Sequence, residues 1–186
     1  MASPHFLRAA AVLALAAAAN AQPRAIDTQA SVLTVRVFKS GLFSALAHDH
    51  EIAAPISAGS VDAAARLVEL GIRAAGLRVR DPKDRAEIEK KMLGAEVLDA
   101  ERFPEIRFHS TAVESAGASG WSVHGNLTLH GQTRVVTVAV KEQAGHYMGS
   151  AAVKQSEFGI KPVRAAGGTV RVKDEVRIEF DIQLAR

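Results

Sequence analysis

The sequence predicts an all-β protein with one short helix, folded as one domain. Apolar and polar residues alternate with a period of two in six segments, which is typical of strands with one buried face. One segment alone has helical spacing, and no low-complexity linker divides the chain. About eight strands leave two architectures open, a sandwich or a closed antiparallel barrel.

The first 21 residues have the features of a secretory signal peptide. Arg8 supplies a positive charge, Ala9–Ala19 is apolar, and Ala19-Asn20-Ala21 has the small-x-small pattern read by signal peptidase. The apolar run is shorter than the roughly 20 residues of a membrane-spanning helix. We therefore expect cleavage after Ala21, a domain over residues 22–186, a periplasmic location and no stable membrane anchor.

The strands follow along the rest of the chain, and each has one apolar and one polar face. Short breaks at 115–120, 130–133 and 165–168 predict turns or hairpin loops between them. The last strand has the clearest alternation, with Val, Ile, Phe and Leu against charged residues and Gln. The predicted strands include Leu33–Val37, Val68–Ala74, Ile106–His109, Trp121–His130, Val136–Val140 and Val176–Leu184.

One segment predicts a helix that lies against the sheet. Asp84 is a suitable N-cap, and Glu87 is placed to reach back to it. Ile88, Met92 and Leu93 then fall on one stripe, and Gly94 is a natural stop.

Composition narrows the function classes. Cysteine is absent, so the chain has no disulfides, no thiolate metal ligands and no lipoprotein attachment site. The 23 basic and 20 acidic residues are interspersed, which argues against a nucleic-acid surface. Neither a Gly-x-Ser-x-Gly elbow nor a phosphate-binding glycine loop occurs. These features favour a binding protein without a cofactor over an enzyme.

Four phrases resemble those of the YceI-like family, in the same order and spacing. Phe103–Ser110 is similar to its "FP-x-I-x-F-x-S" stretch, and Gly125–Thr133 to its "G-x-L-T-I-H-G-x-T" hairpin. Ser156–Ile160 is similar to "S-x-F-G-I" and Asp174–Val176 to "D-E-V". The resemblance extends over roughly Ile26 to Leu184, nearly the whole mature chain.

The resemblance implies an extended, lipocalin-like antiparallel β-barrel around an apolar tunnel. Family members are exported and bind polyisoprenoid lipids such as isoprenoid quinones or polyprenyl phosphates. The implied partner of this chain is an isoprenoid-type lipid, and a homodimer is possible. The candidate ligand contacts are His48, His50, Phe43, Phe108, Phe158 and Ile160.

The chain departs from the family after the first strand, where it has His48-Asp49-His50. Residues i and i+2 of a strand share a face, so the two imidazoles point the same way. They are candidates for contacting a lipid headgroup or capping a barrel mouth. The alternative is a periplasmic metal-binding protein or metal-dependent enzyme that uses His48 and His50, with a third ligand from Glu51, His109, His124 or His130. A barrel filled by its own side chains is the remaining possibility.

Overall fold

The structure, a computed structural model, describes residues 22–40, 49–165 and 170–186. The leader, Phe43, His48 and the greater part of the predicted 165–168 break lie outside these ranges. The described residues form twelve strands in one antiparallel sheet. In chain order the strands are β1 Arg24–Ala25, β2 Val32–Ser40, β3 His50–Ala53, β4 Ile56–Asp62, β5 Leu67–Arg73, β6 Arg78–Val79, β7 Glu105–Ser115, β8 Gly120–Leu129, β9 Gln132–Gln143, β10 His146–Lys154, β11 Arg164–Ala165 and β12 Val170–Gln183.

These strands occupy eight positions around a wall. Three positions are each occupied by two successive strands: β1 with β2, β3 with β4, and β5 with β6. In each pair the chain bends between the two strands and then continues alongside the same neighbouring positions. The other positions belong to β7, β8, β9, β10 and β12, and the short β11 pairs with the beginning of β12.

The wall closes where the two ends of the domain meet. Ile26 forms an isolated bridge with Leu184, and the Asp27 N–H donates to the Gln183 carbonyl at 2.8 Å. On its other side, the Ile26 N–H donates to the Gly59 carbonyl at 2.9 Å. The segment after β1 therefore links β12 to β4. The predicted antiparallel barrel is confirmed, although in the described residues twelve strands rather than about eight make up its eight wall positions.

The turn between β8 and β9 has two residues, His130 and Gly131, with φ angles of 50° and 69°. Positive φ at both positions is typical of a type I′ turn, which matches the twist of antiparallel strands. The predicted 130–133 turn is thus confirmed but is shorter. The 115–120 break is also a hairpin, joining β7 to β8.

The predicted helix is α1, Arg85–Leu93, and it ends before Gly94 as expected. Its beginning differs from the prediction, because Asp84 has a left-handed backbone (φ 54°) and makes no side-chain capping bond. The acidic residue of α1 that bonds to the backbone is Glu89. Its carboxylate accepts a 2.8 Å hydrogen bond from the Val79 N–H and so links α1 to β6. No helix in the described ranges is long and apolar enough to cross a membrane.

Buried side chains are concentrated at the end of the barrel that carries α1. Met92, Val97 and Leu98, from α1 and the segment after it, belong to the same buried cluster as Phe158 and Ile160. This packing closes part of that end of the barrel.

Candidate functional site

A cavity of about 980 Å³ runs through the interior of the barrel. Its lining comes from the inner face of every wall position, and nearly all of the central lining is aliphatic or Phe. The central lining includes Leu33, Val35, Val37, Leu70, Ile106, Phe108, Leu127, Val136, Val138, Ala151, Val153, Ile178 and Phe180.

The exposure pattern of β9 shows that the interior is hollow. Val136, Val138 and Val140 point inward, yet all three are only partly buried. In a close-packed core such residues would be almost fully covered. Their remaining exposed surface faces the cavity, so the barrel is not filled by its own side chains.

Two glycines on the inner face help to keep the cavity open. A Cβ on Gly125 would lie 2.5 Å from Cζ of Phe108, and one on Gly149 would lie 2.6 Å from Cζ of Phe180. Each ring therefore lies against the wall over a residue without a side chain. Glycine inside a strand often marks such a close approach.

One end of the cavity, which we call the helix rim, is polar. The backbone N–H of Lys39 donates to the Asp49 carboxylate at 3.0 Å, and the Arg80 N–H donates to the Glu51 carbonyl at 2.8 Å. These bonds hold the end of β2, the beginning of β3 and the approach to α1 together. The rim residues that line the cavity are Lys39, His50, Asp81, Lys83, Asp84, Glu87 and Lys91.

The opposite end, which we call the hairpin end, lies where β4–β5, β7–β8 and β9–β10 turn. Along β12 it is about ten residues from the helix rim, roughly 30 Å of extended chain. The cavity-lining residues with polar atoms at this end are Asp62, Arg66, Ser115, Trp121 and Tyr147.

The outer face carries the charged pairs. Arg36 forms ion pairs with Glu51 at 2.5 Å and with Glu179 at 2.6 Å. Both carboxylates raise the pKa of the Arg36 guanidinium, and Glu179 has the larger effect. His146 is 2.8 Å from Asp181. These groups stand on the polar side of strands whose other side lines the cavity.

A comparison with protein-family models covers nearly all of the described barrel. The YceI-like domain profile matches residues 25–184. The chain belongs to the YceI-like family.

Curated relatives match over a shorter range. A UPF0312 protein of Pseudomonas putida (strain W619) is 35% identical over 96 residues, 46% of this chain and 50% of that protein. One from Yersinia pestis (strain Pestoides F) is 45% identical over 56 residues, 30% of this chain and 29% of that protein. The chain spans about half the length of the first of these relatives.

Solved structures show the same fold over most of the YceI-like chain. BcnA of Burkholderia cenocepacia superposes with a TM-score of 0.67 at 23% identity, covering 87% of this chain and 99% of BcnA. A YCEI protein of Campylobacter jejuni gives a TM-score of 0.50 at 12% identity, covering 80% and 84% of the two chains.

Of the six predicted ligand contacts of this YceI-like chain, three line the cavity, one is buried away from it, and two lie outside the described residues. Phe108 and Ile160 line the cavity, Phe108 on a central strand and Ile160 near the helix end. His50 lines the helix rim. Phe158 is 0% exposed and does not line the cavity, because it packs within a 3-10 turn, Gln155–Phe158. Phe43 and His48 lie outside the described residues.

The candidate third metal ligands do not gather around His50. Glu51 bonds Arg36, His109 bonds Glu69 at 3.1 Å, and His124 bonds Thr137 at 2.9 Å, all on the outer face. His130 bonds the Phe158 carbonyl at 3.1 Å. Within the described ranges, no three His, Cys, Asp or Glu residues form a group suited to a metal ion.

Two cavity residues were not among the predicted contacts. The sequence pattern placed Trp121 at the beginning of a predicted strand and gave Tyr147 no role. Both side chains point inward. Trp121 is on the same face of β8 as Val123 and Leu127, and Tyr147 is on the same face of β10 as Ala151. The alternation of β8 could have placed Trp121 inside, but not at an open cavity.

Proposed function

We propose that this protein is an exported carrier that holds one amphiphilic lipid in the barrel, with a polyisoprenoid chain or an isoprenoid quinone as the best candidates. The observation that carries the proposal is the apolar cavity of about 980 Å³. This volume is at the upper end of the range for ligand pockets, about 300–1,000 Å³. Its course from the helix rim to the hairpin end suits a long, thin guest.

The chemistry of the lining suits a hydrocarbon chain. Apolar surface contributes about 25 cal/mol per Å² on leaving water, before the costs of ordering the ligand. A branched chain needs no directed hydrogen bonds, and the central lining residues offer very few. Binding by area alone also fits a protein that carries a ligand without reacting with it.

The helix rim suits entry and release. It carries charges of both signs beside the cavity, so a headgroup placed there keeps contact with water and with polar side chains. His50 and Lys39 stand on neighbouring strand ends at this rim, which supports the hypothesis that His50, together with His48, contacts a charged headgroup.

Export is part of the proposal and has its own test. Expressed in a Gram-negative host, the protein is expected in the periplasmic fraction with Gln22 as its first residue. Intact-mass measurement and N-terminal sequencing decide this. A full-length chain in the cytoplasm would overturn the export assignment and leave lipid binding to be judged separately.

The decisive experiment is analysis of what the purified protein carries. Mass spectrometry of an organic extract is expected to find a long-chain lipid at close to one per protein. Metal analysis on the same sample tests the alternative, because equimolar zinc or copper without lipid would replace the carrier proposal by a metal-binding one. Absence of both lipid and metal would contradict both.

A matched pair of variants on β9 ties the lipid to the cavity. Val138→Phe adds a ring on the inner face, where Val138 lines the cavity. Val135→Phe makes the same change on the outer face, where Val135 is 74% exposed. Bound lipid is expected to fall at least severalfold in the first variant and to stay unchanged in the second. Equal lipid content in the two variants would place the lipid outside the barrel.

A further inference from the structure

The single tryptophan and the single tyrosine of the chain lie together at the hairpin end of the cavity. The ring centroids of Trp121 and Tyr147 are 6.1 Å apart, with an angle of 43° between the planes. Val140 of β9 stands between them, paired with Trp121 on one side and with Gly149 on the other. The small Val140 and Gly149 leave space in front of the two rings.

Trp121 and Tyr147 add an indole N–H and a phenol O–H to the cavity lining at the hairpin end. An indole N–H and a phenol O–H usually find a hydrogen-bond partner when buried. Among the described residues, neither group takes part in a hydrogen bond, and both side chains are half-buried against the cavity. Other polar groups at this end serve their own turns, since Ser115 donates to the Gly117 carbonyl at 3.3 Å and Asp62 accepts the Ala65 N–H at 2.8 Å.

A ligand that fills the cavity would change the hydration of the Trp121 N–H and the Tyr147 O–H. A bound hydrocarbon chain would cover them and remove their contact with water, which is unfavourable unless an acceptor replaces it. A ligand that places an acceptor at the hairpin end avoids this loss. A flat ring there also gains contact with the faces or edges of the two aromatic side chains.

We propose that the hairpin end is a subsite for an uncharged, planar headgroup with carbonyl acceptors, bound by Tyr147 Oη–H and Trp121 Nε1–H. The lining there carries one carboxylate, Asp62, and one guanidinium, Arg66, so its charges balance and favour a neutral head. The chain of the ligand would then extend past Phe180 and Phe108 toward the helix rim. This inference rests on the proposed lipid-carrier function and selects the ring-bearing class within it, whose head would lie at the hairpin end, whereas a charged head would lie at the helix rim.

Trp121 is a built-in reporter of this subsite because no other tryptophan contributes to the emission. The probes are decylbenzoquinone, which has carbonyl acceptors, and decylbenzene, which has the same chain on a planar six-membered ring without carbonyl groups. Lipid-stripped protein is loaded with N-phenylnaphthylamine, and displacement of this dye gives the affinity of each probe. Separately, quenching of Trp121 emission reports contact with the quinone ring.

Tyr147→Phe removes one hydroxyl and keeps the ring. We expect it to weaken decylbenzoquinone about five- to tenfold, the loss of one hydrogen bond, and to leave decylbenzene unchanged. In the wild type, decylbenzoquinone is expected to quench Trp121. His109→Ala, which removes an exposed side chain from the outer face, is expected to leave the affinity for decylbenzoquinone unchanged.

Two failures are distinguishable. If decylbenzoquinone displaces the dye but leaves Trp121 emission and the Tyr147→Phe affinity unaltered, the ring lies elsewhere and the subsite is overturned while the carrier function stands. If neither probe displaces the dye, the carrier function itself fails and the subsite fails with it.

Discussion

Asp174 accepts two hydrogen bonds from Ser156, one from the backbone N–H at 2.8 Å and one from the hydroxyl at 2.6 Å. They join the early part of β12 to the 3-10 turn Gln155–Phe158. Because these bonds favour the ionised carboxylate, they hold the pKa of Asp174 below its ordinary value, with the Ser156 hydroxyl as the main cause. The family phrases at Ser156–Ile160 and Asp174–Val176 therefore meet in space.

Asp174→Asn is expected to lower stability in a pH-dependent way. At neutral pH the loss is about 1 kcal/mol, a fall in Tm of about 2–4 °C for a domain of this size. A carboxylate with a lowered folded pKa stabilises above the ordinary value of 3.8, and this contribution is lost as the pH falls through the folded pKa. The difference between wild type and variant should thus shrink in acid. Thermal unfolding followed by circular dichroism at several pH values measures it.

The matched control for Asp174 is Glu157→Gln, which removes an exposed carboxylate from the same turn. We expect it to leave Tm nearly unchanged at every pH. If Asp174→Asn behaved in the same way, the two bonds to Ser156 would not contribute to stability.

His130→Ala is expected to loosen the same corner of the fold. The Nδ1 of His130 lies 3.1 Å from the Phe158 carbonyl, and its ring centroid is 4.7 Å from that of Phe103 in an edge arrangement. Loss of both contacts is expected to cost about 1–2 kcal/mol. Urea unfolding measures the change. His109→Ala, which breaks the exposed pair with Glu69, is expected to cost much less.

Local sequence pattern predicted the strands because each has one face in the interior. Val176–Leu184 alternates without interruption, and the structure turns its apolar side inward as expected. The helix at Arg85–Leu93 was predicted from spacing and its Gly94 stop. Each of these patterns lies within about ten residues, so a short segment of sequence is enough to predict the element.

Barrel closure and the cavity could not be predicted in this way. The bridge between Ile26 and Leu184 joins the two ends of the domain, and no local pattern records it. Trp121 and Phe158 are both aromatic residues with a glycine on one side and a polar residue on the other, yet one lines the cavity and the other is fully covered. What separates them is the packing of α1 and the 3-10 turn at one end only.

Gly149→Ala is expected to destabilise the barrel by about 1–3 kcal/mol and to narrow the cavity. The added methyl group would overlap the Ala139 carbonyl oxygen and lie 2.6 Å from Cζ of Phe180, so the ring must move inward. Gly71→Ala is the control, because a Cβ there meets Ser57 Oγ at 3.6 Å, an ordinary contact. Thermal unfolding and dye binding measure the two effects. Equal Tm values for the two variants would show that the wall at Gly149 yields without strain.

His50→Ala tests the helix rim with two amphiphiles that share a chain, dodecyl phosphate and dodecanol. His50 lines the cavity beside the end of β2, where Lys39 also stands. A phosphate at this rim can accept a hydrogen bond from the imidazole. Loss of the imidazole is therefore expected to weaken the binding of dodecyl phosphate about three- to tenfold and to leave the binding of dodecanol unchanged.

The control is His146→Ala, since His146 pairs with Asp181 on the outer face and its replacement is expected to change neither affinity. Dye displacement provides all six affinities, two for the wild type and two for each variant. Equal binding of dodecyl phosphate by wild type and His50→Ala would remove His50 from headgroup recognition, whereas parallel weakening of both amphiphiles would mean that the variant altered the shape of the cavity.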